Sequence, residues 1–261
     1  MRHLISATLV FCFIFCFASI GKTAIPDGLL LYLAFDEGNG GTAKDSSGNK
    51  FDGELNGGAK WDDGKVNKSI RFNGSDAFVS VEPIGIDPDA FTIEFWFSPN
   101  KDLDAGGARM DLMYAHTGCC RPHITYNRQK DGGIGLHAEF GGNGDQGPIS
   151  DLTTTTGKWK AGEWYHWAGT ADKTETKVYV NGKFEKKLKS VGVPNLRYEE
   201  HGISIGCAQG ASNWFSGRMD ELRIWERVLT DDEIRKSFSL TLLAVDAKGK
   251  LAITWAQIKD K

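Results

Sequence analysis

The sequence predicts an all-β fold, an antiparallel two-sheet jelly-roll sandwich with one short C-terminal helix. Three observations carry that expectation. Apolar and polar residues alternate in run after run between Leu29 and Trp225, the pattern of strands with one buried face. Between the runs lie turns rich in Gly, Asn and Asp, residues suited to turn geometry. No helix-period segments alternate with the strands, which leaves antiparallel layers rather than parallel βαβ units.

In chain order, residues 1–24 come first. Arg2 precedes an apolar run from Leu4 to Phe17, and small residues from Ala18 to Ala24 follow. This is the layout of a cleaved secretory signal peptide, and the run is short for the ~20 apolar residues of a bilayer span. The expected product is secreted or attached to the cell surface, with no stable membrane span. The mature domain then occupies residues 25–239, and residues 240–261 form an extension.

Strands are expected at Leu29–Phe35, Ser69–Phe72, Ala77–Val81, Asp111–Ala115, Gly135–Phe140, Trp164–Ala171, Ile203–Ile205 and Met219–Trp225. In a further strand Phe91, Ile93, Phe95 and Phe97 face one way while Thr92, Glu94, Trp96 and Ser98 face the other, as in a half-buried strand. Asn181-Gly182, between two alternating runs, is a two-residue hairpin signal because both residues tolerate positive φ. Thr230 to Glu233 reads as a capping box opening a helix whose Ile234 and Phe238 share one side. No internal repeat or second domain boundary is evident.

Composition narrows the function. The chain has 261 residues, 31 Lys+Arg against 34 Asp+Glu, and a net charge of -3. Without a basic block it is not built for nucleic acid. Signal cleavage would remove Cys12 and Cys16 and leave Cys119, Cys120 and Cys207. A bridge from the Cys119–Cys120 pair to Cys207, a vicinal bridge, and unpaired buried thiols are all compatible with that count. The spacing fits no zinc site.

Six segments resemble one family. They are Leu33–Asn49 (LAFDEGNGGTAKDSSGN), Phe72–Val79 (FNGSDAFV), Phe91–Phe97 (FTIEFWF), Trp164–Trp167 (WYHW), Val178–Lys183 (VYVNGK) and Phe215–Ile234 (FSGRMDELRIWERVLTDDEI). In this order they are similar to laminin G-like jelly rolls of the concanavalin A-like lectin/glucanase superfamily. The resemblance spans roughly residues 28–239 and implies the fold, whereas function varies widely on one fold. The segment 118–125 and the loop 141–147 match nothing standard in that family.

The resemblance implies that catalytic members carry Glu-x-Asp-x-x-Glu, which is absent here. Retaining hydrolysis needs two carboxyl groups about 5 to 5.5 Å apart. Glu94 stands alone on its strand, as a solvated or paired outer-face residue, and adjacent Asp220 and Glu221 would leave opposite faces of theirs. His116, His123, His137, His166 and His201 are scattered, in no nucleophile or metalloprotease motif. The expectation is a non-enzyme.

Calcium takes oxygen ligands from carboxylates, Asn and backbone carbonyls. The candidate ligands are Asp36, Asp45 and Asn49 in one Gly-rich loop, Asp76 in another, and Asp220. The resemblance implies that the closing strand brings Asp220 near the first loop. Ordinary Asx turns are the alternative for the loop residues. Glycan recognition combines aromatic faces with convergent polar groups. Trp61, Trp159 and Trp214 lie near Gly-rich loops, while Trp96 and Trp225 read as packing. The candidate ligand site joins Asn213 and Trp214 to His116, Arg121, Asn143 and Asp145. The expected partner is an extracellular glycan or a surface protein. Alternatives are a protein-protein or matrix adhesion module and a degenerate glycoside hydrolase.

Overall fold

The computed structural model describes residues 26–85, 88–103, 108–115, 122–126, 135–140, 150–190 and 202–243. In chain order the strands begin with β1 (Leu29–Leu33), β2 (Thr42–Ala43), β3 (Gly53–Asn56), β4 (Lys60–Asp63), β5 (Lys68–Asn73) and β6 (Phe78–Val81). Next come β7 (Phe91–Pro99), β8 (Met110–Tyr114), β9 (His123–Tyr126), β10 (Leu136–Phe140) and β11 (Ser150–Thr153). The remainder are β12 (Tyr165–Ala171), β13 (Glu175–Val180), β14 (Lys183–Lys189), β15 (Ile203–Ile205), β16 (Ser216–Trp225) and the helix α1 (Asp231–Phe238).

The strands form two eight-stranded sheets in which every described pairing is antiparallel. One runs β14-β13-β12-β7-β16-β5-β4, with β1 also on β16; the other runs β11-β10-β9-β8-β15-β6-β3-β2. The jelly-roll sandwich expected from the alternation is the fold observed. Between the sheets lies one apolar core containing Phe35, Phe72, Phe95, Phe97, Trp159 and Trp167. Phe95 and Trp167 stack there with ring centroids 5.3 Å apart, and such burial is the main stabilising term.

The helix makes a second, smaller core on the outer side of the first sheet. Leu29, Ala168, Tyr179, Trp225, Leu229 and Ile234 close it, and Phe238 stacks on Trp96 at 5.4 Å. Consequently β7 is buried at all nine positions, not on one face as the alternation suggests. Glu94, paired as expected, is not solvated but fully buried. It accepts a hydrogen bond from Trp225 Nε1 at 3.1 Å and lies 3.4 Å from His166 Nε2. Burial alone would raise its carboxyl, but His166, Arg223 and Ser237 outweigh that and hold it below the usual carboxylate range.

Two local signals appear as read. Asn181 and Gly182 turn between β13 and β14 at φ 50 and 71. Thr230 caps α1, receiving the Glu233 amide while the Glu233 carboxylate receives the Thr230 amide. Residues 1–25, which hold the expected signal peptide, and 244–261 of the expected extension lie outside the described residues. Among the described residues no helix is long and apolar enough to cross a membrane.

Candidate functional site

Sheet register builds the site. In the second sheet Thr42 pairs with Glu54, Glu54 with Ser80, and Ser80 with Ser204. Ser204 pairs with Tyr114, Tyr114 with His123, His123 with Glu139, and Glu139 with Asp151. One cross-strand row of polar and aromatic residues, Thr42 to Glu139, therefore crosses seven of the strands. The neighbouring row, Leu55, Val79, Ile205, Met113, Ile124, Ala138 and Leu152, belongs to the core or packs on it. Because side chains alternate faces, the polar row points away from that core.

At the β8–β10 end the row condenses into a buried charge cluster. His123 Nε2 lies 2.9 Å from Asp111 Oδ1 and His123 Nδ1 3.6 Å from Glu139 Oε2. His137 Nε2 is 3.5 Å from Glu139, and its Nδ1 is 2.9 Å from Thr153 Oγ1. Arg109 Nε donates to Asp111 at 3.1 Å, and its Nη2 also approaches His123 Nε2 at 3.1 Å. Arginine can only donate, so when His123 gives its Nε2 proton to Asp111 the Arg109–His123 approach is a contact without a hydrogen bond. Asn213 Nδ2 donates to the other Asp111 oxygen at 2.9 Å, and the Asp111 amide donates to the Asn213 carbonyl at 2.8 Å. Burial would raise Asp111, but His123, Thr125 and Arg109 prevail and hold its carboxyl below the ordinary value.

The middle of the row is aromatic. Phe78 lies two residues before Ser80 on β6, so the two share a face. Its ring meets Trp214 at 6.1 Å, both half-buried. The loop 206–215 crosses this face: a Cβ on Gly210 would reach the Phe78 ring at 3.0 Å. At the β2–β3–β6 end a groove of about 380 Å³ is lined by Thr42, Asp52, Glu54, Ser80 and Glu82. The accessible surface thus runs from the groove to Trp214, while Asp111, His123, His137 and Glu139 are at most 3% exposed, and Asp111 fixes Asn213 and its loop from beneath.

Of the expected ligand residues, Asn213 and Trp214 fall on this face. His116, Arg121, Asn143 and Asp145 lie outside the described residues, as do Cys119 and Cys120. The strand ends that flank segments 116–121 and 141–149 are neighbours at one end of the sheet, since His123 pairs with both Tyr114 and Glu139. Among the described residues Cys207 has no disulfide partner; its buried thiol accepts the Gly210 amide, and burial pushes it up to about 11. Trp159 is core and Trp61 is partly buried against it, donating to the Gly40 carbonyl at 2.8 Å. Sequence reading missed Asp111, His123, His137 and Glu139 as a group. The available signal was the pairs His123/Thr125 and His137/Glu139, two apart in strands whose intervening residues are apolar.

The five proposed metal ligands do not converge. Asp45 accepts from the amides of Tyr32, Ser47 and Phe51, Asn49 donates to the Leu30 carbonyl, and Asp76 accepts from Gly58 and Asn73. These three are engaged in closing turns. Asp36 accepts from Asn67 Nδ2 at 2.9 Å and from the Lys68 amide at 3.1 Å. Asp220 is fully buried; its Oδ2 receives the Val66 amide at 2.9 Å, and its Oδ1 has no partner among the described residues. Burial, then the charges of Glu221 and Asp36, push Asp220 up to about 9.

Asp220 and Glu221 do not leave opposite faces. The β16–β7 register shifts between Asp220 and Arg223, and Glu221 has φ 55. This bulge inserts one residue and breaks the alternation. Glu221 consequently joins Tyr32, whose hydroxyl donates at 3.0 Å, and Arg223 on the helix side of the sheet. Among the described residues no three His, Cys, Asp or Glu stand in metal-holding geometry. The orphaned Asp220 oxygen beside Asp36 nonetheless has the hard-oxygen character a calcium ion takes.

A family description, the concanavalin A-like lectin/glucanases superfamily, matches residues 73–235, over half of the chain. The chain belongs to this superfamily. Among solved structures, the superfamily fold recurs in domain 4 of AbnA, an extracellular GH43 arabinanase from Geobacillus stearothermophilus, in complex with arabinotriose. It is 23% identical at TM-score 0.59, covering 80% of this chain and 97% of that one. The binding domain of botulinum neurotoxin DC is similar in two complexes. With SialylT it is 16% identical at TM-score 0.62, and with rat synaptotagmin II 15% at 0.61; each covers 84% of this chain and 52% of that one. The chain thus spans about half of those neurotoxin binding domains. No curated protein matches.

Proposed function

We propose that this chain is a secreted, non-catalytic glycan-binding module whose ligand lies along the polar face of the second sheet. The observation that carries the reading is the uninterrupted row from Thr42 to Glu139 on the side away from the core, with Phe78 and Trp214 beside it. Sugar hydroxyls pair with Glu54, Ser80 and Glu82 in the groove, and the Trp214 face takes a ring by stacking. Asp111 and His123 act as positioning residues through Asn213. The arabinotriose and SialylT complexes of the structural neighbours support the ligand class.

Asp111 and Glu139 share His123, so a carboxyl pair exists. Asp111 is 0% and Glu139 2% exposed, so neither carboxyl is open to a glycosidic bond that must sit between the two groups, which supports the non-catalytic reading. We also propose that Asp220 and Asp36, with backbone carbonyls, hold a structural Ca²⁺. When bound, that ion neutralises buried negative charge.

The test is an array of neutral oligosaccharides, arabino-oligosaccharides included, followed by calorimetry on Trp214→Ala and Glu54→Gln. Saturable binding weakened by both variants is expected. Absence of binding, or binding indifferent to both, overturns the reading. A partner protein captured in excess free sugar would favour the adhesion alternative, and hydrolysis abolished by Glu139→Gln the enzymatic one.

A further inference from the structure

Two hydrogen bonds to Asp111 hold the Asn213–Trp214 turn against the second sheet, and a bulge puts Asp111 where it can do so. The β8–β9 register shifts between Asp111 and Met113, so that Leu112 and Met113 both enter the core. The inserted residue turns Asp111 onto the same face as Tyr114 and His123. There its carboxylate accepts from Asn213 Nδ2 at 2.9 Å, and its amide donates to the Asn213 carbonyl at 2.8 Å. Asn213 is left-handed, with φ 53, a conformation that asparagine tolerates. The bonds to Asp111 fix that turn and, with it, the half-buried ring of Trp214.

Both ring nitrogens of His123 face a carboxylate: Nε2 lies 2.9 Å from Asp111 Oδ1 and Nδ1 lies 3.6 Å from Glu139 Oε2. Only the imidazolium carries a proton on each nitrogen. A neutral ring serves one carboxylate and turns a lone pair to the other. With its proton on Nδ1, it accepts at Nε2 from Arg109 Nη2, 3.1 Å away, and competes for a guanidinium that serves Asp111 at 3.1 and 3.4 Å. Among the described residues, the charged and titratable groups around His123 are Arg109, Asp111 and Tyr114 on the β8 side and His137 and Glu139 on β10. Burial would raise Asp111, yet His123, Thr125 and Arg109 hold it below the ordinary carboxylate value. Burial and then the Asp111 charge push Cys207 up to about 11. The imidazoles, ordinarily at about 6.5, are the groups whose usual value falls between those two.

We infer that a proton on His123 fixes Asn213 and Trp214 to the sheet, so that the ligand face is assembled in the imidazolium form and loosens when the proton leaves. This regulation rests on the reading of the face as a glycan site. Two flanking carboxylates favour the charged ring. Its contribution is therefore present below the ordinary imidazole value and is lost as pH rises through the native one. Linkage is reciprocal: if glycan binds the charged form about tenfold more tightly, saturating glycan raises the His123 midpoint by about one pH unit. His137 faces Glu139 and Thr153 and serves as the comparison.

The experiment follows His123, His137 and the Asn213 side-chain amide by NMR in the whole protein from pH 5.5 to 9, with and without arabinotriose. Where another oligosaccharide of the array binds more tightly, it takes the place of arabinotriose. Calorimetry covers the same range. The Asn213 amide is expected to follow the His123 titration, and affinity to fall about tenfold from the acid to the alkaline end, with the matching shift in the His123 midpoint. Asn213→Ala should bind with no pH dependence, and His123→Gln should keep the alkaline affinity throughout. Should that buried variant fail to fold, the titration of the parent and Asn213→Ala still decide. An Asn213 amide indifferent to His123, an affinity constant across the range, or a change that follows His137 instead each overturns the proposal. Absence of sugar binding with the Asn213 amide still following His123 removes the glycan reading and leaves the coupling standing.

Discussion

Substituting Asp220→Asn should stabilise the metal-free protein, increasingly so as pH rises. Asp220 is fully buried, one oxygen has no partner among the described residues, and Glu221 and Asp36 add negative charge. Its carboxyl is raised from 3.8 to about 9. A carboxyl raised on folding makes the native state bind the extra proton, so stability is lost as pH rises between the unfolded and folded values. The slope is about 1.4 kcal/mol per pH unit. Across the interval from 3.8 to 7 this amounts to a cost of roughly 4 kcal/mol, an upper limit. Urea unfolding in chelator from pH 5 to 8 should show the Asp220→Asn variant pulling progressively ahead of the parent. Parallel curves would refute the buried-charge argument. Added Ca²⁺ should then stabilise the parent and not the variant; an indifferent parent removes the ion and leaves the charge argument standing.

Asp111 behaves with the opposite sign. Its carboxyl is depressed by its donors, so its contribution is present above the ordinary value of 3.8 and lost as pH falls through the native value; acid titration of Asp111→Asn should lack that loss. Trp214→Ala should weaken glycan binding roughly tenfold in calorimetry while leaving the melting temperature close to the parent's. Thr230→Ala should cost about 1 kcal/mol in urea unfolding, because it removes the helix cap. Cys207 should resist a thiol reagent in the native protein and react once unfolded; rapid native labelling would contradict its burial.

Much of the fold was legible because strands such as β5 and β6 carry one apolar face, and because Asn181-Gly182 and Thr230–Glu233 are local chemistry. The strands β2, β3 and β4 were not. Thr42–Ala43, Gly53–Asn56 and Lys60–Asp63 are short and largely polar, so no alternation marks them; their partners do. At the site, Asn213 and Trp214 were legible as polar and aromatic groups near glycines. Asp111 and Glu139 were not, since their meeting is made by the register of β8, β9 and β10 rather than by proximity in sequence. The bulge at Asp220–Glu221 defeated a parity argument outright: one inserted residue reverses the facing of everything beyond it.

The two outer faces explain why binding is assigned where it is. On the first sheet, Thr92, Glu94, Trp96 and Ser98 would have formed an exposed stripe, but α1 and the Trp225–Ile234 core lie over part of it and all four are buried. Arg223 lies between the carboxyls of Glu94 and Glu221 under that cover, with His166 beside Glu94. Buried pairs of this kind add little net stability yet are costly to break singly, so they specify how the helix docks. On the second sheet the polar row instead reaches the surface at Thr42, Glu54 and Ser80 and is flanked by a half-buried aromatic pair. A polar face closed by a helix serves architecture, and one that ends in a groove can meet a ligand. Removing a charge from each face should therefore separate the roles: Arg223→Met should loosen α1 without touching glycan affinity, and Glu54→Gln should do the reverse.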